Sequence, residues 1–184
     1  PQGRAGIIVP EGVIFQSGKS HTQLRKNLVE DGLSAVVSLP SGVFQPYSGV
    51  KTSILLFDNE VAKKSKEILF VKIENDGFDL GATKRANNKN DLPEALEILK
   101  KWKEGKKVES KLVVHVEKSK IAESGDYNLS GDRYRVATDY SNAKWPMVEL
   151  GEVVEILDNK RKPITKSDRK AGQFPYYGAT GILD

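Results

Sequence analysis

Ser34–Asp58, SAVVSLPSGVFQPYSGVKTSILLFD, constrains the fold more than any other stretch of the chain. Two apolar runs, Ala35–Leu39 and Ser53–Phe57, are nearly free of charge and partly β-branched. They flank a segment rich in Pro, Gly and Ser. Short runs of this kind bounded by turn residues are strands buried on both faces. Such strands leave chemistry to their connection, here Pro40–Thr52. That connection has no helical pattern, so the second run lies antiparallel to its neighbour, since a parallel return needs a crossover.

The flanking sequence extends this sheet. Ala5–Val9 is a short apolar strand stopped by Pro10, and a turn with apolar contacts follows over Glu11–Phe15. Ser20 and Gln23 form a capping-box pattern, Leu24, Leu28 and Val29 an apolar stripe, and Asp31-Gly32 a helix stop. With the strand Leu33–Leu39, residues 5–39 read as a βαβ unit with parallel strands. A polar hairpin-like connection over Asp58–Lys66 leads to a strand at Glu67–Ile73 and an exposed loop at Asn75–Asn90. Asp91, Pro93 and Glu94 mark a helix start, and Leu92, Ala95, Leu96, Leu99 and Trp102 lie at helical spacing. Leu112–Val116 is a further strand, Ile121–Arg135 is polar with Tyr127, Leu129 and Tyr134 as anchors, and Val136–Lys144 reads as a linker. A new unit starts at Trp145-Pro146: a short helix running into a strand (Val148–Leu157), a basic run, then an aromatic and glycine-rich segment at Phe174–Gly181.

Composition removes several kinds of chemistry. There is no cysteine, hence no disulfide and no thiolate metal site, which fits a reducing, cytoplasmic setting. His21 and His115 stand too far apart for a metal-ligand spacing. No apolar run approaches the roughly 18 residues of a membrane span. No Gly-rich phosphate loop, Ser/His/Asp set or paired carboxylates with an argued partner emerge. The net charge of +4 permits an anionic partner without establishing one. The chain opens on a turn and an apolar strand and stops on an unfinished pattern, so a piece of a longer protein is expected.

GRAGIIVPEGVIF, followed by a helix and LSAVVSLPSGVFQPYSGVKTSILLF, resembles the later part of the catalytic domain of N6-adenine DNA methyltransferases, specifically the modification subunit of type I restriction–modification systems. FVKIENDGFDLGATKR, NDLPEALEILKKW and DYNLSGDRYR extend the resemblance over residues 1–135. The second unit, WPMVELGEVVEI, a basic stretch and FPYYGATGI, resembles the start of a type I specificity-subunit target recognition domain.

The resemblance implies an α/β fold: the back of a class I, Rossmann-like methyltransferase sheet of seven strands with an antiparallel pair (residues 1–75), a helical connector (76–143) and the start of an α+β recognition domain (144–184). It implies methyl transfer from S-adenosylmethionine to adenine N6 in double-stranded DNA, with specificity or restriction subunits as partners. The family's S-adenosylmethionine loop and its Asn-Pro-Pro-Phe/Tyr motif lie upstream, and no Asn-Pro-Pro occurs here. No catalytic or cofactor residue carries over, and the fragment alone is expected to be inactive. What carries over is the Pro40–Thr52 loop, beside the pocket for a flipped adenine. Phe44 and Tyr47 are suited to replace lost stacking, and Lys51 to reach a phosphate. In the second unit Lys160, Arg161, Lys162, Lys166, Arg169 and Lys170 are candidates for DNA contact. Their charge is matched by Glu149, Glu152, Glu155, Asp158, Asp168 and Asp184, so only local clustering supports them. The alternative is a non-catalytic DNA-binding or subunit-assembly module.

Overall fold

The apolar pattern builds the first unit around one mixed sheet. In a computed structural model, residues 3–79, 81, 83–135, 148–155, 157, 164–170, 172–173, 175, 177–178 and 181–182 are described. The chain divides into two units, Pro1–Ala137 and Thr138–Asp184.

In chain order the first unit runs β1 (Arg4–Pro10), α1 (Glu11–Phe15), α2 (Lys19–Glu30), β2 (Leu33–Ser38), β3 (Thr52–Asp58), α3 (Asn59–Lys64) and β4 (Glu67–Lys72). It continues with β5 (Asp76–Phe78), β6 (Ala86–Asn90), α4 (Leu92–Lys103), β7 (Val113–Glu117), α5 (Lys118–Glu123) and a 3-10 turn at Gly131–Tyr134. The main sheet has the order β1-β3-β2-β4-β7. β3 is antiparallel to β2, as expected, and also to β1, with Pro10 opposite Thr52 and Arg4 opposite Asp58. β1 and β2 therefore run the same way but are not neighbours, because β3 inserts between them. β2 and β4 pair in parallel, and β7 closes the far side antiparallel to β4. The described part of the segment expected as a connector over 76–143 lies within this unit, supplying α4 and β7.

Each face of the sheet carries its own core. Ala35, Val37, Leu69 and Val71 pack with Ala95, Ile98 and Trp102 of α4. Val36, Leu55, Ile68 and Phe70 pack with Ile14, Val29, Ile121 and Leu129. This is the two-sided burial that the apolar runs demand. At Leu33/Ala35 the β2 register shifts against β3. Ser34 takes up the irregularity: its hydroxyl donates to the Leu56 carbonyl at 2.9 Å, and its carbonyl accepts from the Trp102 indole at 3.1 Å.

Several local expectations change. The helix expected to be capped by Ser20 and Gln23 starts at Lys19 behind Gly18, without a side-chain cap, and Gln23 donates instead to Asn27. Leu24 is exposed, whereas Arg25 is wholly buried beside Val29. Arg25 donates to the carbonyls of Asp126, Tyr127, Val13 and Gln16, tying residues 126–127 to α1 and to the end of that helix. Guanidinium N–H groups aimed at four carbonyls and at the Thr22 hydroxyl make burial tolerable. The connection after Asp58 is the short helix α3, with Asp58 accepting from the Glu60 and Val61 amides. In the segment expected as an exposed loop at 75–90, Asp76–Phe78 and Ala86–Asn90 pair as the antiparallel β5–β6 hairpin. Asp91 holds the N-cap position of α4, as expected, but its carboxylate makes no capping bond: it accepts from the Glu74 and Asn75 amides, and Asn90 accepts from Leu92 N–H. Ile98 is buried in α4, while Leu92 and Leu96 remain exposed.

The described part of the second unit has a short helix α6 (Leu150–Val153), a 3-10 turn at Lys166–Asp168, and the antiparallel pair β8 (Tyr177–Gly178) and β9 (Gly181–Ile182). No described helix is long and apolar enough to cross a membrane.

Candidate functional site

Strand direction gathers the candidate residues. The carboxyl ends of β1, β2 and β4 and the start of β3 emerge at one edge of the sheet. Open α/β sheets bind ligands at that edge. The connection between β2 and β3 opens there. Its base is closed by Leu39 N–H donating to the Thr52 carbonyl at 3.0 Å, and it is joined to α1 by Glu11 N–H donating to the Lys51 carbonyl at 3.0 Å. Inside the loop, Gln45 N–H donates to Gly42, and the Tyr47 and Ser48 amides both donate to the Phe44 carbonyl. Gly42 has φ +83°, a conformation that a side chain disfavours. The loop is thus a compact series of turns.

Those turns present two aromatic rings. Phe44 is 37% exposed and Tyr47 is 95% exposed. Phe15 and Val50 are also exposed, the first on the neighbouring α1 and the second within the loop. Burying rings of this size removes much apolar surface from water, so leaving them open is costly without a partner.

Lys51 sits at the end of the same loop. Its ammonium pairs with Glu11 Oε1 at 3.2 Å and is partly covered. The other oxygen, Glu11 Oε2, is buried without a hydrogen-bond partner, as is Thr52 Oγ1. Both belong to the strand edge, where Glu11, Ser38, Ser53, Lys72 and Asp132 line a cavity of about 10 Å³. Lys72 pairs with Asp132 at 3.0 Å, and Arg135 reaches the same carboxylate at 3.3 Å. Sequence reading missed this polar floor because its members lie on five separate segments, and only strand register brings them together.

Behind the floor, residues 126–135 are held by charge. Burial pushes the Arg25 guanidinium below its ordinary value, against the pull of Asp126 and Tyr134. Burial pushes the Asp126 carboxyl up, but hydrogen bonds from Ser124, Arg133 and the Asn128 amide outweigh it and leave it below the usual range. Burial raises the Tyr134 phenol, whose hydroxyl donates to the Asn128 carbonyl at 2.6 Å.

A larger apolar trough of about 470 Å³ lies on the α4 face, lined by Arg4, Gly6, Leu56, Leu96, Leu99 and Trp102. It sits at the opposite end of the sheet, beside the β1 amino terminus. Among the described residues no group of His, Asp or Glu converges as a metal site would.

In the second unit, Lys160, Arg161 and Lys162 lie outside the described residues. Lys166 and Lys170 are exposed, and Arg169 donates to the Ile164 carbonyl at 3.3 Å. Lys166 lies in the 3-10 turn, and Arg169 and Lys170 follow it directly.

A profile of the family described as N-6 DNA Methylase matches residues 1–143. The chain belongs to that family. Residues 142–184 match the type I restriction modification DNA specificity domain. Among relatives, the chain is 32% identical over 158 residues to the type I restriction enzyme MjaVIII methylase subunit of Methanocaldococcus jannaschii, covering 84% of this chain and 26% of that one. It is 41% identical over 70 residues to the EcoEI methylase subunit of Escherichia coli, covering 38% of this chain and 14% of that one. The chain thus spans about a quarter of its relatives' length, or less. By structure it is similar to the type I restriction-modification methyltransferase subunit of Streptococcus thermophilus, with TM-score 0.53, 24% identity and coverage of 71% of this chain and 26% of that one. It is also similar to a chain from a type I R-M system, with TM-score 0.55, 24% identity and coverage of 83% and 31%. Both likenesses concern the fold.

Proposed function

We propose that this N-6 DNA methylase segment is the rear part of a site-specific adenine methyltransferase of a type I restriction–modification system. The whole protein moves a methyl group from the sulfonium of S-adenosylmethionine to adenine N6, which loses a proton. Double-stranded DNA and the other restriction–modification subunits are its partners.

The observation that carries this reading is the loop at residues 40–52. It holds Phe44 and Tyr47 open at the carboxyl edge of the sheet, where a base rotated out of a duplex needs an aromatic wall. Lys51 is neutralised by Glu11 and serves as the loop's anchor, with its half-covered ammonium left near the DNA side. Lys166, Arg169 and Lys170, with Lys160, Arg161 and Lys162, extend the DNA contact in the second unit.

S-adenosylmethionine does not fit the residues present. The cavity at the carboxyl edge, about 10 Å³, is far below the roughly 300 Å³ of a ligand pocket. The larger trough is at the other end of the sheet, and its Asp58 is taken by the α3 amides and by Arg4 at 3.9 Å.

β1 supports a missing catalytic half. Ile7 and Ile8 point to opposite faces and are 49% and 55% exposed. A strand apolar on both faces and bare on both is an inner strand of a larger sheet. The second reading, a subunit-assembly module without catalysis, is favoured by the apolar trough alone.

The test is transfer of labelled methyl groups to duplex DNA by the full-length protein, with 2-aminopurine at the target as a reporter of base flipping. Phe44→Ala is expected to lower kcat/KM about 10- to 100-fold, the worth of one base stack, and to quench the flipping signal. Label in cytosine, or an unchanged flipping signal in Phe44→Ala, would sink the reading. No transfer together with retained subunit binding would favour assembly.

A further inference from the structure

The β5–β6 hairpin has no part in the site described above, yet it leaves the sheet at the same edge. β2 and β4 are parallel, and Ile73 N–H donates to the Ser38 carbonyl at 2.9 Å just where both strands end. The hairpin after β4 and the loop after β2 are therefore neighbouring projections. Its base is clamped: Asp91 Oδ2 accepts from the Glu74 and Asn75 amides at 2.9 and 2.8 Å, and Asp91 N–H donates back to the Asn75 carbonyl. Gly77, at φ +87°, lets the strands cross closely, since a Cβ there would stand 3.2 Å from Asn90 Nδ2.

The charges of this ribbon are sorted. Both of its carboxylates are occupied within it. Asp76, 10% exposed in its side chain, pairs with Lys84 at 3.3 Å and accepts from Phe78 N–H. Asp79 accepts from Asn87 Nδ2 at 2.9 Å. Glu74, at the foot, lies 3.7 Å from Lys72. Lys84 also lies 5.5 Å from the centre of the Phe78 ring. Arg85 and Lys89 are exposed and have no ionic partner among the described residues. Arg85 stands just before β6 and Lys89 near its end, on either side of a register irregularity in the β5–β6 pairing. Acids bound within the ribbon and cations directed outward give it a positive outer surface.

We propose that the β5–β6 hairpin is a second DNA contact of this methylase, with Arg85 and Lys89 on backbone phosphates beside the base held by the residue 40–52 loop. The proposal rests on the reading of that loop as the adenine wall. Its chemistry is independent: a two-stranded ribbon fits a groove of duplex DNA, and Arg and Lys on phosphates position a protein without reading sequence.

The experiment is equilibrium binding of the full-length methylase to a mixed-sequence duplex across a salt series. Arg85→Ala with Lys89→Ala is compared with Lys63→Ala and Lys64→Ala, which lie in α3 at the opposite end of the sheet. Lys84 is left in place because it holds the hairpin, and circular dichroism verifies that each variant is folded. The hairpin pair is expected to flatten the slope of log K against log salt by about 1.8 and to weaken binding about tenfold or more at 0.1 M salt. The α3 pair is expected to leave both unchanged. An unchanged slope in the hairpin pair overturns the proposal, while Phe44→Ala, if it still abolishes flipping, leaves the adenine wall standing. An equal loss in the α3 pair also overturns it, since net charge would then be the cause. Absence of any salt-dependent DNA binding by the parent protein removes both readings.

Discussion

The two outer strands of the main sheet are built on opposite plans. β7 is sealed: Val113 and Val116 are 8% and 5% exposed, and His115 bonds the Val108 carbonyl at 2.9 Å. Arg135 adds hydrogen bonds to the Lys111 and Leu112 carbonyls just before the strand. β1 is bare, with Ile7 and Ile8 about half exposed on opposite faces. A natural sheet edge is short, covered or charged, because a bare apolar edge pairs with other chains. β7 is such an edge, and β1 has the makings of an interior strand.

This contrast can be broken at four points. The sealed side depends on Arg25, whose carbonyl partners include Asp126 and Tyr127. Arg25→Ala leaves buried carbonyls unpaired and is expected to cost about 3 kcal/mol or more, measured by urea unfolding of the 184-residue chain. A loss below about 1 kcal/mol would mean that the segment 126–135 does not hold that side. Gly131 comes next. A Cβ there would sit 2.9 Å from Phe70 Cβ, so Gly131→Ala is expected to destabilise by about 1–3 kcal/mol through forced separation from β4.

The third point is Asp126, paired with Arg133 at 2.6 Å. Its carboxyl is held below its unfolded value, so its contribution is complete above the unfolded value and fades as pH falls through the folded one. Asp126→Asn is expected to cost up to about 1 kcal/mol at neutral pH, since the pair is partly exposed. The difference from the parent should shrink in acid, below about pH 4. A difference that grows in acid would reverse the assignment. The smallest effect is expected on β1. Ile8→Ser should change the stability of this chain by no more than about 0.5 kcal/mol and reduce its self-association in sedimentation. A large loss would show that β1 is a finished edge.

Legibility followed the range of the interaction. The strands near residues 5–9, 33–39, 53–57, 67–73 and 112–116 were readable because each is a short apolar run between turn signals. So was the antiparallel turn from β2 to β3, since no crossover helix intervenes. The exposed aromatics Phe44 and Tyr47 were readable as candidates through their place in a loop between buried strands. The insertion of β3 between β1 and β2 was not, because neighbour order depends on pairings across the whole unit. The capping pattern misled at Ser20, where Gly18 occupies the helix boundary; at Asp91 the position was right, but the carboxylate serves the backbone at residues 74–75. Arg25 was hidden inside an apolar stripe, and nothing local marks a buried arginine whose acceptors lie a hundred residues away.

By itself, the sequence determined that this protein is an α/β chain with strands buried on both faces and an aromatic loop between two of them. These follow from local apolar period, turn residues and composition, which act over a few residues. Only the tertiary structure decided that Lys51 is bound to Glu11, that Arg25 is buried, and that loop 40–52 and the β5–β6 hairpin share an edge while β1 stands bare. Those outcomes depend on strand direction and register, which bring together groups far apart in the chain.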